Sequence, residues 1–487
     1  MLMKKYLLGF DVGSLSSKGI LVDCDGKIAA KAQREHIILC PVPGGAEHDA
    51  ENNWWGDFKA IVKEMLSFSG IAPQQIAGIG ITGLVPTLCP VGQDGKAVRN
   101  AILYSDNRAI NELQEVNKLL KEPITLEQVL PKLLWYKRNE PANYRDTISI
   151  LNPHSYLVFK LTGRFSCDVD TANIFGGIFA SETGSWETEK CRSLGVNEEL
   201  LPPAYPATAI IGEVTPEAAK QTGLVAGIPV IAGTGDSYTS LLGNGVIHPG
   251  EMMIYLGTAG TQIMCNRELE QLAATVHISD KGGAVEFGAN VLSCGQALQW
   301  FKNEMAPPGF DYASLDEKAA AIPPGSGKLI TLPHFMGRRA PAPNPLAKGV
   351  ICGVTPNHSR HHFYRSLLES IAFGLKQGFE PVRAKAKRIV IAGGGAKSAL
   401  WRQIISDVLD FPVEYQAKGG AALGIAYFAG FSLGLLPSFQ TIQEEWLPVQ
   451  EIIRPNPDNA ALYQRYYQAY LELERSLETF YGQLQSL

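Results

Sequence analysis

Charge is balanced in this 487-residue sequence and is concentrated nowhere. Lys and Arg together number 43 against 48 Asp and Glu, which gives a net charge of −5 and a pI of about 6.0. Nucleic acids and anionic membranes attract proteins with a dense basic patch, whereas the basic residues here are spread along the chain. We therefore expect a small-molecule partner and neither nucleic acid nor a membrane.

Cysteine is scarce and forms no sequence pairs. The eight cysteines lie far apart without a CxxC motif, which argues against a disulfide scaffold. A chain of this length with 45% hydrophobic residues has enough apolar surface to fold without cross-links. We expect reduced and mostly buried thiols.

Long apolar runs are also missing. The N-terminal run covers only residues 6–10 before Asp11 interrupts it, which is too short for a secretory signal. We therefore expect a cytoplasmic protein. The uncharged segment 419–443 contains five glycines and a proline that dilute its hydrophobicity. It predicts a buried, closely packed helix in preference to a membrane span.

Two similar segments begin about half a chain apart, YLLGFDVGSLSSKGILVD at Tyr6 and EMMIYLGTAGTQIMC at Glu251. In each, an apolar strand enters a tight turn rich in Gly, Ser and Thr, and a second apolar strand leaves it. Alternating strand and helix patterns of α/β type separate them. This repeat predicts a duplicated α/β architecture. We place the domains at residues 1–246 and 247–487, because GNGVIHPGE supplies turn residues between them.

The turns themselves point to phosphate binding. Junctions of this kind expose backbone N–H groups that no strand ladder uses, and such groups bind phosphate oxygens. Asp11 adds a carboxylate to the first turn that is suited to hold Mg²⁺ through water. An ordinary hairpin is the alternative. A GxxxxGK[ST] motif is missing from the sequence, so a P-loop fold is excluded.

A third glycine turn, at residues 393–395, connects the strand RIVIA to a helix. Glu414 follows about twenty residues later, as the ribose-binding acid of a dinucleotide fold would. Ser398 stands where that motif needs its third glycine, which weakens this alternative. Glycine here more simply lets a nucleoside lie against the backbone.

Asp236 stands where the apolar strand PVIAGTG ends and a helix begins. Ligands of α/β proteins bind at the C-terminal ends of strands, so Asp236 is a candidate catalytic residue. The alternative is that Asp236 is a helix N-cap. Asp106 and Arg108 follow the strand-like AILY and form either the polar rim of a substrate pocket or a solvated turn.

Other polar clusters receive structural interpretations. His358, His361 and His362 lack the spacing of a zinc site and are expected at a helix start on the surface. Residues 47–49 (Glu-His-Asp) precede a helix, and we assign them mainly to capping.

Ordered blocks along almost the whole sequence resemble the FGGY carbohydrate kinase family, and within it the xylulose kinases most closely. The blocks are GFDVGSLSSKGILVD, AEHDAENNWW, GIGITG, ILYSDNR, PKLLWYKRNEP, LTGRFSCDVDTA, GTGDSYTSLLG, IYLGTAGT, GGGAKSALWRQIISDVL and GGAALGIAYFAG. The resemblance implies a two-lobed actin/hexokinase-like fold and ATP-dependent phosphorylation of a small sugar, most simply a ketopentose such as xylulose. It implies ATP and Mg²⁺ as cofactors, and we expect a homodimer.

The resemblance also implies roles for individual residues. Asp236 would be the general base and, with Asp106, would hold sugar hydroxyls, while Asp11 and Asp236 would hold Mg²⁺. The N-terminal lobe would bind the sugar, and the C-terminal lobe would bind most of the ATP. The nucleotide ligands would be Gly13, Ser14, Ser16, Ser17, Lys18, Gly257, Thr258, Thr261, Gly394, Gly395 and Ser398.

One segment departs from the family pattern. Xylulose kinases usually carry a Gly-Gln-Met-His-like sequence where this chain has Gly83-Leu84-Val85-Pro86, and the Arg-Glu pair of glycerol kinases is missing there too. A lost hydrogen-bond partner changes which sugar a pocket selects. Ribulose, gluconate and a tetritol are therefore alternative substrates. A nicotinamide oxidoreductase and a non-catalytic ATP-binding sensor are the alternatives of other classes.

Overall fold

The computed structural model describes residues 5–274, 285–307, 309–339 and 342–486. The chain forms two compact units. Unit 1 comprises Met1–Gly243, Leu269–Lys281 and Gly420–Trp446, and unit 2 comprises Asn244–Glu268, Gly282–Gly419 and Leu447–Leu487. The predicted boundary near residues 246–250 lies close to the first change of unit. The later segment 420–446 belongs to unit 1, because turn signals locate where a chain leaves a domain but not where a later helix packs.

The strands are numbered along the described chain. Those of unit 1 are Tyr6–Val12 (β1), Ser16–Asp23 (β2), Ile28–Glu35 (β3), Glu47–His48 (β4), Ile76–Gly83 (β5), Cys89–Gly92 (β6), Ala101–Ile102 (β7), Thr147–Leu151 (β8), Cys167–Asp168 (β9), Phe179–Ala180 (β10), Ser185–Trp186 (β11), Ala204–Tyr205 (β12), Ile210–Glu213 (β13), Pro229–Ile231 (β14) and Thr234–Gly235 (β15). Those of unit 2 are Glu251–Leu256 (β16), Gly260–Cys265 (β17), Val285–Val291 (β18), Ile330–Leu332 (β19), Val350–Cys352 (β20), Arg388–Ala392 (β21), Val413–Tyr415 (β22) and Glu451–Ile453 (β23).

The helices are numbered in the same way. They are Asp57–Ser69 (α1), Ile110–Asn117 (α2), Val129–Asn139 (α3), Pro141–Asp146 (α4), Pro153–Thr162 (α5), Val169–Asn173 (α6), Thr188–Ser193 (α7), Pro216–Thr222 (α8), Asp236–Leu242 (α9), Leu269–Ala274 (α10), Gly295–Glu304 (α11), Tyr312–Ala320 (α12), Arg360–Phe379 (α13), Ala399–Leu409 (α14), Ala421–Ser432 (α15) and Pro457–Gln485 (α16). A π-helical turn, Ala50–Gly56, leads into α1.

The main sheets of the two units share one topology. Their strand orders are β13-β14-β5-β1-β2-β3 and β23-β22-β21-β16-β17-β18. Each contains an antiparallel three-stranded meander whose first strand pairs in parallel with β5 or β21. A further parallel strand and an antiparallel edge strand complete each sheet. The predicted duplication is therefore confirmed by topology, although the two hairpins share little sequence.

Helix α15 packs directly on the centre of the unit 1 sheet. All residues of β5 are buried, as expected for a strand covered on both faces. A methyl group on Gly9 of β1 would lie 2.0 Å from the Ala422 carbonyl oxygen, and one on Gly80 of β5 would lie 2.3 Å from that of Ile425. Glycine thus permits backbone-to-backbone packing. Residues 421–430 are all buried, which confirms the predicted packed helix for the first half of the segment 419–443. The helix ends at Ser432, and Leu435 after it is exposed.

Two further expectations can be compared with the described residues. None of their helices combines the length and the apolar character that a bilayer span requires. The helix start predicted at the histidine cluster is confirmed, because α13 begins at Arg360 and the His362 ring accepts from the Ser359 backbone N–H at 3.2 Å. No group of three metal-ligating side chains was found in the part of the chain that the structure describes.

Candidate functional site

Three parallel strands end at one edge of the unit 1 sheet. Asp11, near the end of β1, is in register with Thr82 of β5, and Thr234 of β15 is in register with the same Thr82. The Thr82 hydroxyl donates to the Thr234 carbonyl oxygen at 2.6 Å and fixes β15 against β5. Asp236 follows β15 directly as the first residue of α9. Strand topology thus brings Asp11 and Asp236 together.

Both carboxylates are poorly solvated. Burial raises the pKa of Asp11 to about 6, against the opposing charge of Lys18, its cross-strand neighbour. Burial and then the charge of Asp11 raise the pKa of Asp236 to about 7, although hydrogen bonds from Ser237 lower it. The Asp11 Oδ1 atom is buried and has no hydrogen-bond partner among the described residues. Two neighbouring carboxylates in this condition favour a shared proton or a cation.

Asp236 is not the N-cap of its helix. Gly235 holds that position, and Asp236 is the first residue inside the helix. The alternative in which Asp236 serves as a helix cap is therefore wrong. A carboxylate in the first turn still gains from the helix dipole, which partly offsets its desolvation.

Asp106 is 1% exposed, and protein donors engage both of its oxygens. Its Oδ2 accepts from the Ala46 backbone N–H at 2.8 Å, and its Oδ1 accepts from that of Arg108 at 3.0 Å. The Arg108 guanidinium also binds Glu47 at 2.6 Å and lies 4.4 Å from the ring centroid of Trp135. Asp106 thus positions Arg108 and residue 46, and its contact with a sugar hydroxyl stays a prediction.

A buried His154–Asp168 pair lies behind β15 and was not singled out from the sequence. The His154 Nε2 atom is 2.8 Å from Asp168 Oδ2, and the Thr234 hydroxyl donates to Asp168 Oδ1 at 2.8 Å. Burial, and then the charge of Asp168, raises the pKa of Asp170 well above its ordinary value. The pair ties the SCDVDTA segment to the strand that carries Asp236. The signal available in the sequence was the pair Asp168 and Asp170, two carboxylates within the otherwise uncharged segment SCDVDTA.

The segment after β5 places an apolar side chain next to Asp236. Leu84 is 2% exposed and belongs to the core, so it does not face a ligand. Val85 is half-buried and packs on Gly235, where an added methyl group would lie 2.4 Å from Val85 Cγ2. Val85 thus contacts the residue that directly precedes Asp236.

The first hairpin turn leaves two backbone N–H groups free. The carbonyls of Gly13, Ser14, Leu15 and Ser16 all accept hydrogen bonds. Among the described residues, the N–H groups of Ser14 and Leu15 donate to no acceptor. Ser16 and Lys18 are partly or fully exposed, as their predicted role requires.

Ser17 requires a correction as a candidate phosphate ligand. Its side chain is fully buried, because alternate residues of β2 face opposite sides of the sheet. The Ser17 side chain therefore lies on the opposite face of the sheet from the side chains of Ser16 and Lys18.

The matching turn of unit 2 is built in the same way. The Gly257 carbonyl accepts from the Gly295 N–H at 2.9 Å, and the Thr258 carbonyl accepts from the N–H groups of Cys294 and Gln296 at 3.1 and 3.2 Å. The N–H groups of Thr258 and residue 259 have no acceptor in the described part of the chain. Thr258 is exposed, and Thr261 is partly exposed.

The third glycine turn follows β21. Gly393 has a φ of +94° and lies against the Leu256 carbonyl, so this position needs glycine, whereas Gly394 is exposed with open space around it. The Ser398 hydroxyl caps α14 by accepting from the Trp401 N–H at 3.0 Å. Gly395 packs on the Trp401 ring. Of these predicted nucleotide ligands, Gly394 is the one that the structure leaves open.

The structure argues against the dinucleotide-binding alternative, because Glu414, its candidate ribose-binding residue, already has a partner. Glu414 forms an ion pair with Arg388 at 2.7 Å inside the sheet. Although β21 is parallel to β16 and β22, the strands β17, β18 and β23 pair antiparallel, so the sheet is not the mostly parallel sheet of a dinucleotide fold.

Comparison with known proteins gives matches along most of the chain. Residues 6–243 match the N-terminal domain model, and residues 252–433 the C-terminal domain model, of the FGGY family of carbohydrate kinases. A xylulose kinase of Bacillus subtilis (strain 168) is 28% identical over 482 residues, which is 96% of each chain.

Solved structures of carbohydrate kinases also match nearly the whole chain. The crystal structure of a xylulose kinase from Rhodospirillum rubrum has a TM-score of 0.84 and 28% identity, and the match covers 98% of this chain and 100% of that one. The crystal structure of a gluconate kinase from Lactobacillus acidophilus has a TM-score of 0.84 and 25% identity, with 99% of each chain covered. The predicted actin/hexokinase-like α/β fold is thus confirmed.

Proposed function

The chain belongs to the FGGY family of carbohydrate kinases and is a sugar kinase, and from this premise we propose its chemistry. In this proposal, Asp236 is the general base that accepts the proton of a sugar hydroxyl while the γ-phosphoryl group of ATP is transferred in line to that oxygen. The acceptor is a ketopentose or a closely related sugar or polyol. Unit 1 supplies the sugar-binding carboxylates, and unit 2 supplies most of the nucleotide contacts.

The observation that carries this proposal is the pairing of Asp11 and Asp236. A general base works best when its pKa lies near the operating pH, and the pKa of Asp236 is about 7. An aspartate with the ordinary pKa of 3.8 is a weaker base at neutral pH. Burial and the charge of Asp11 supply the difference.

The residues present fit a Mg²⁺ ion. Asp11 offers a buried oxygen with no partner in the described chain, and Asp236 is the second carboxylate of the pair. Carboxylate oxygens are hard ligands of the kind that Mg²⁺ takes, usually together with water and substrate phosphates. When bound, the ion would neutralise charge on the transferring phosphoryl group.

The free N–H groups of the two hairpin turns are donors for phosphate oxygens. Ser14 and Leu15 offer two in unit 1, and Thr258 with residue 259 offers two in unit 2. Lys18 and the Thr258 hydroxyl add a charge and a further donor at exposed positions. These contacts hold and orient the phosphates, and they do not require Asp236.

Substrate choice depends on the surroundings of Asp236. Val85 offers no hydrogen bond where xylulose kinases resembling this chain carry a polar segment. The relatives described above are named for two different sugars, xylulose and gluconate. We therefore propose a ketopentose as the first candidate and ribulose, gluconate and tetritols as the alternatives.

A coupled ADP-release assay over D- and L-ketopentoses, gluconate and tetritols tests this proposal with the purified chain. We expect one sugar to stimulate ATP consumption in the presence of Mg²⁺ and to be released as its monophosphate. Hydride transfer to NAD, or ATP binding without turnover on any sugar or polyol, would contradict it. Light scattering of the same sample tests the expected homodimer.

A further inference from the structure

Two histidines, His36 and His48, lie beneath the first hairpin turn and contact its carbonyl groups. These contacts were not predicted from the sequence. The His36 Nε2 atom is 2.9 Å from the Gly13 carbonyl oxygen, and the His48 Nε2 atom is 3.1 Å from that of Ser14. Both rings are buried, and their centroids are 4.8 Å apart in an edge-to-face arrangement. The two rings therefore hold two consecutive carbonyls of one turn.

The second nitrogen of each ring fixes its protonation. The Trp54 indole N–H donates to His48 Nδ1 at 3.2 Å, so this nitrogen must carry a lone pair and the proton must lie on Nε2. His36 differs, because its Nδ1 faces Asp57 Oδ2 at 3.0 Å while its Nε2 faces a carbonyl. The Gly13 carbonyl can only accept, so the Nε2 atom of His36 carries a proton as well. Both rings thus donate from Nε2 to a carbonyl of the turn.

Holding the carbonyls determines where the adjacent N–H groups point. In a trans peptide, the C=O of one residue and the N–H of the next point in opposite directions. Fixing the Gly13 and Ser14 carbonyls on the histidines therefore turns the N–H groups of Ser14 and Leu15 away from them. These are the two free donors of the turn, and the Leu15 side chain beside them is 51% exposed.

We infer that His36 and His48 are positioning residues that pre-organise the Ser14 and Leu15 N–H groups for the nucleotide phosphates. This inference rests on the proposed function. The turn of unit 2 supports it, because there the backbone N–H groups of residues 294–296 hold the corresponding carbonyls of Gly257 and Thr258. Unit 1 lacks a helix start at this place in its described structure and uses side chains.

The electrostatics of the pair agree with this assignment. Burial, and then the neighbouring His36, lowers the pKa of His48 to about 4. A neutral His48 keeps a lone pair on Nδ1 for the Trp54 N–H, whereas a protonated His48 ring would leave that N–H without an acceptor.

Side-chain ¹H–¹⁵N NMR of the full-length protein tests the protonation states without any nucleotide. We expect Nε2 of both rings to carry a proton and Nδ1 of His48 to carry none. A ring of either histidine whose Nε2 carries no proton would overturn the inference. This measurement does not depend on whether the protein is active.

Calorimetric titration with Mg·ATP tests the positioning role. We expect His48→Leu to weaken nucleotide binding by about five- to a hundredfold, the range for losing one buried hydrogen bond. His48→Gln, whose amide N–H can reach the Ser14 carbonyl, should restore most of it. The control is His154→Gln, which removes a fully buried histidine of the same unit that does not contact the turn.

The results separate this inference from the proposed function. Wild-type protein that binds no Mg·ATP contradicts the proposed function. Wild-type protein that binds Mg·ATP and phosphorylates a sugar, with His48→Leu folded and equal to it in nucleotide affinity, contradicts the positioning role alone. A loss of affinity that His154→Gln reproduces would also overturn it.

Discussion

Burial and then the carboxylate of Asp11 raise the pKa of Asp236, although β5 lies between β1, which carries Asp11, and β15, which leads into Asp236. Neither residue is unusual by itself, since each is a single aspartate after an apolar strand. Their register against Thr82 makes them an interacting pair. The chemistry proposed for this site depends on that pairing.

Removing the charge of Asp11 is expected to lower the pKa of Asp236. In Asp11→Asn, burial alone continues to raise the pKa, so it should fall below the value of about 7. Carboxyl ¹³C NMR titration without nucleotide measures this directly. Asp25→Asn, at an exposed position of the same unit, is the control and should leave the titration of Asp236 unchanged.

The same pKa has a consequence for stability. Its folded-state value of about 7 lies above the ordinary 3.8, so the folded state holds the proton more tightly than the unfolded chain does. This contribution to stability is fully present below pH 3.8 and is lost as the pH rises through 7. At pH 8, Asp236→Asn should therefore be more stable than wild type, by up to about 4 kcal/mol, at about 1.36 kcal/mol for each unit by which the pKa is raised.

Denaturant titrations at pH 8 and pH 5 check this sign. The advantage of the variant should shrink at pH 5, where wild-type Asp236 is mostly protonated. If Asp236→Asn is less stable than wild type at pH 8, then the ionised Asp236 carboxylate does not destabilise the folded state and its pKa is not raised.

Close packing of α15 on the sheet makes Gly9 intolerant of a side chain. A methyl group at this position would lie 2.0 Å from the Ala422 carbonyl oxygen, so the helix must move. We expect Gly9→Ala to destabilise unit 1 by roughly 1–3 kcal/mol, the usual cost of overpacking. Gly482→Ala, in exposed α16 with open space around it, should be neutral or slightly stabilising. Equal thermal stability of the two variants would contradict this packing.

Much of the fold followed from the sequence because its signals are local. The apolar strands, the glycine turns and the repeat of one hairpin predicted the duplicated sheets. The membership of α15 in unit 1 did not follow, because a uniformly apolar helix carries no information about which sheet it covers. Gly9 and Gly80 accommodate it but lie more than 300 residues away in sequence.

In the candidate site, too, local sequence signals identified some residues, whereas contacts between distant parts of the chain could not be predicted. Asp11 and Asp236 were identified because each ends a strand, and strand ends meet at one edge of a sheet. Ser17 was misassigned although strand alternation was available to exclude its side chain. His48 was assigned to capping, because its neighbour Asp49 does cap the following turn, where it accepts from Asn52 N–H at 2.9 Å. Which carbonyl a buried ring faces is a tertiary property.

Val85 is expected to affect the sugar and not the nucleotide. Val85→Ala opens space beside Gly235 and next to Asp236. We expect a severalfold rise in the KM for the sugar, since apolar pockets discriminate by about 1–3 kcal/mol per methylene at most. The KM for ATP should not change. Steady-state kinetics with the sugar identified in the screen measures both, and equal effects on the two KM values would remove Val85 from the sugar pocket.

The last prediction concerns turnover in Asp236→Asn. The amide keeps the size of the side chain but cannot accept a proton, so kcat should fall by about 10²-fold or more, the range for a positioned base. Asp311→Asn is the matched control. Asp311 is a true N-cap, accepting from the Ser314 N–H at 2.8 Å, and asparagine caps as well as aspartate.

Three measurements separate the base from its alternatives. Mg·ATP binding by calorimetry should persist in Asp236→Asn, because in the proposed function backbone N–H groups and Lys18 hold the phosphates. The loss should lie in kcat more than in the sugar KM, because proton acceptance occurs in the transition state and not on binding. The control should keep wild-type turnover. A folded, nucleotide-binding Asp236→Asn with near wild-type kcat would remove Asp236 from the mechanism, and Asp11 would then be the remaining carboxylate to test as the base.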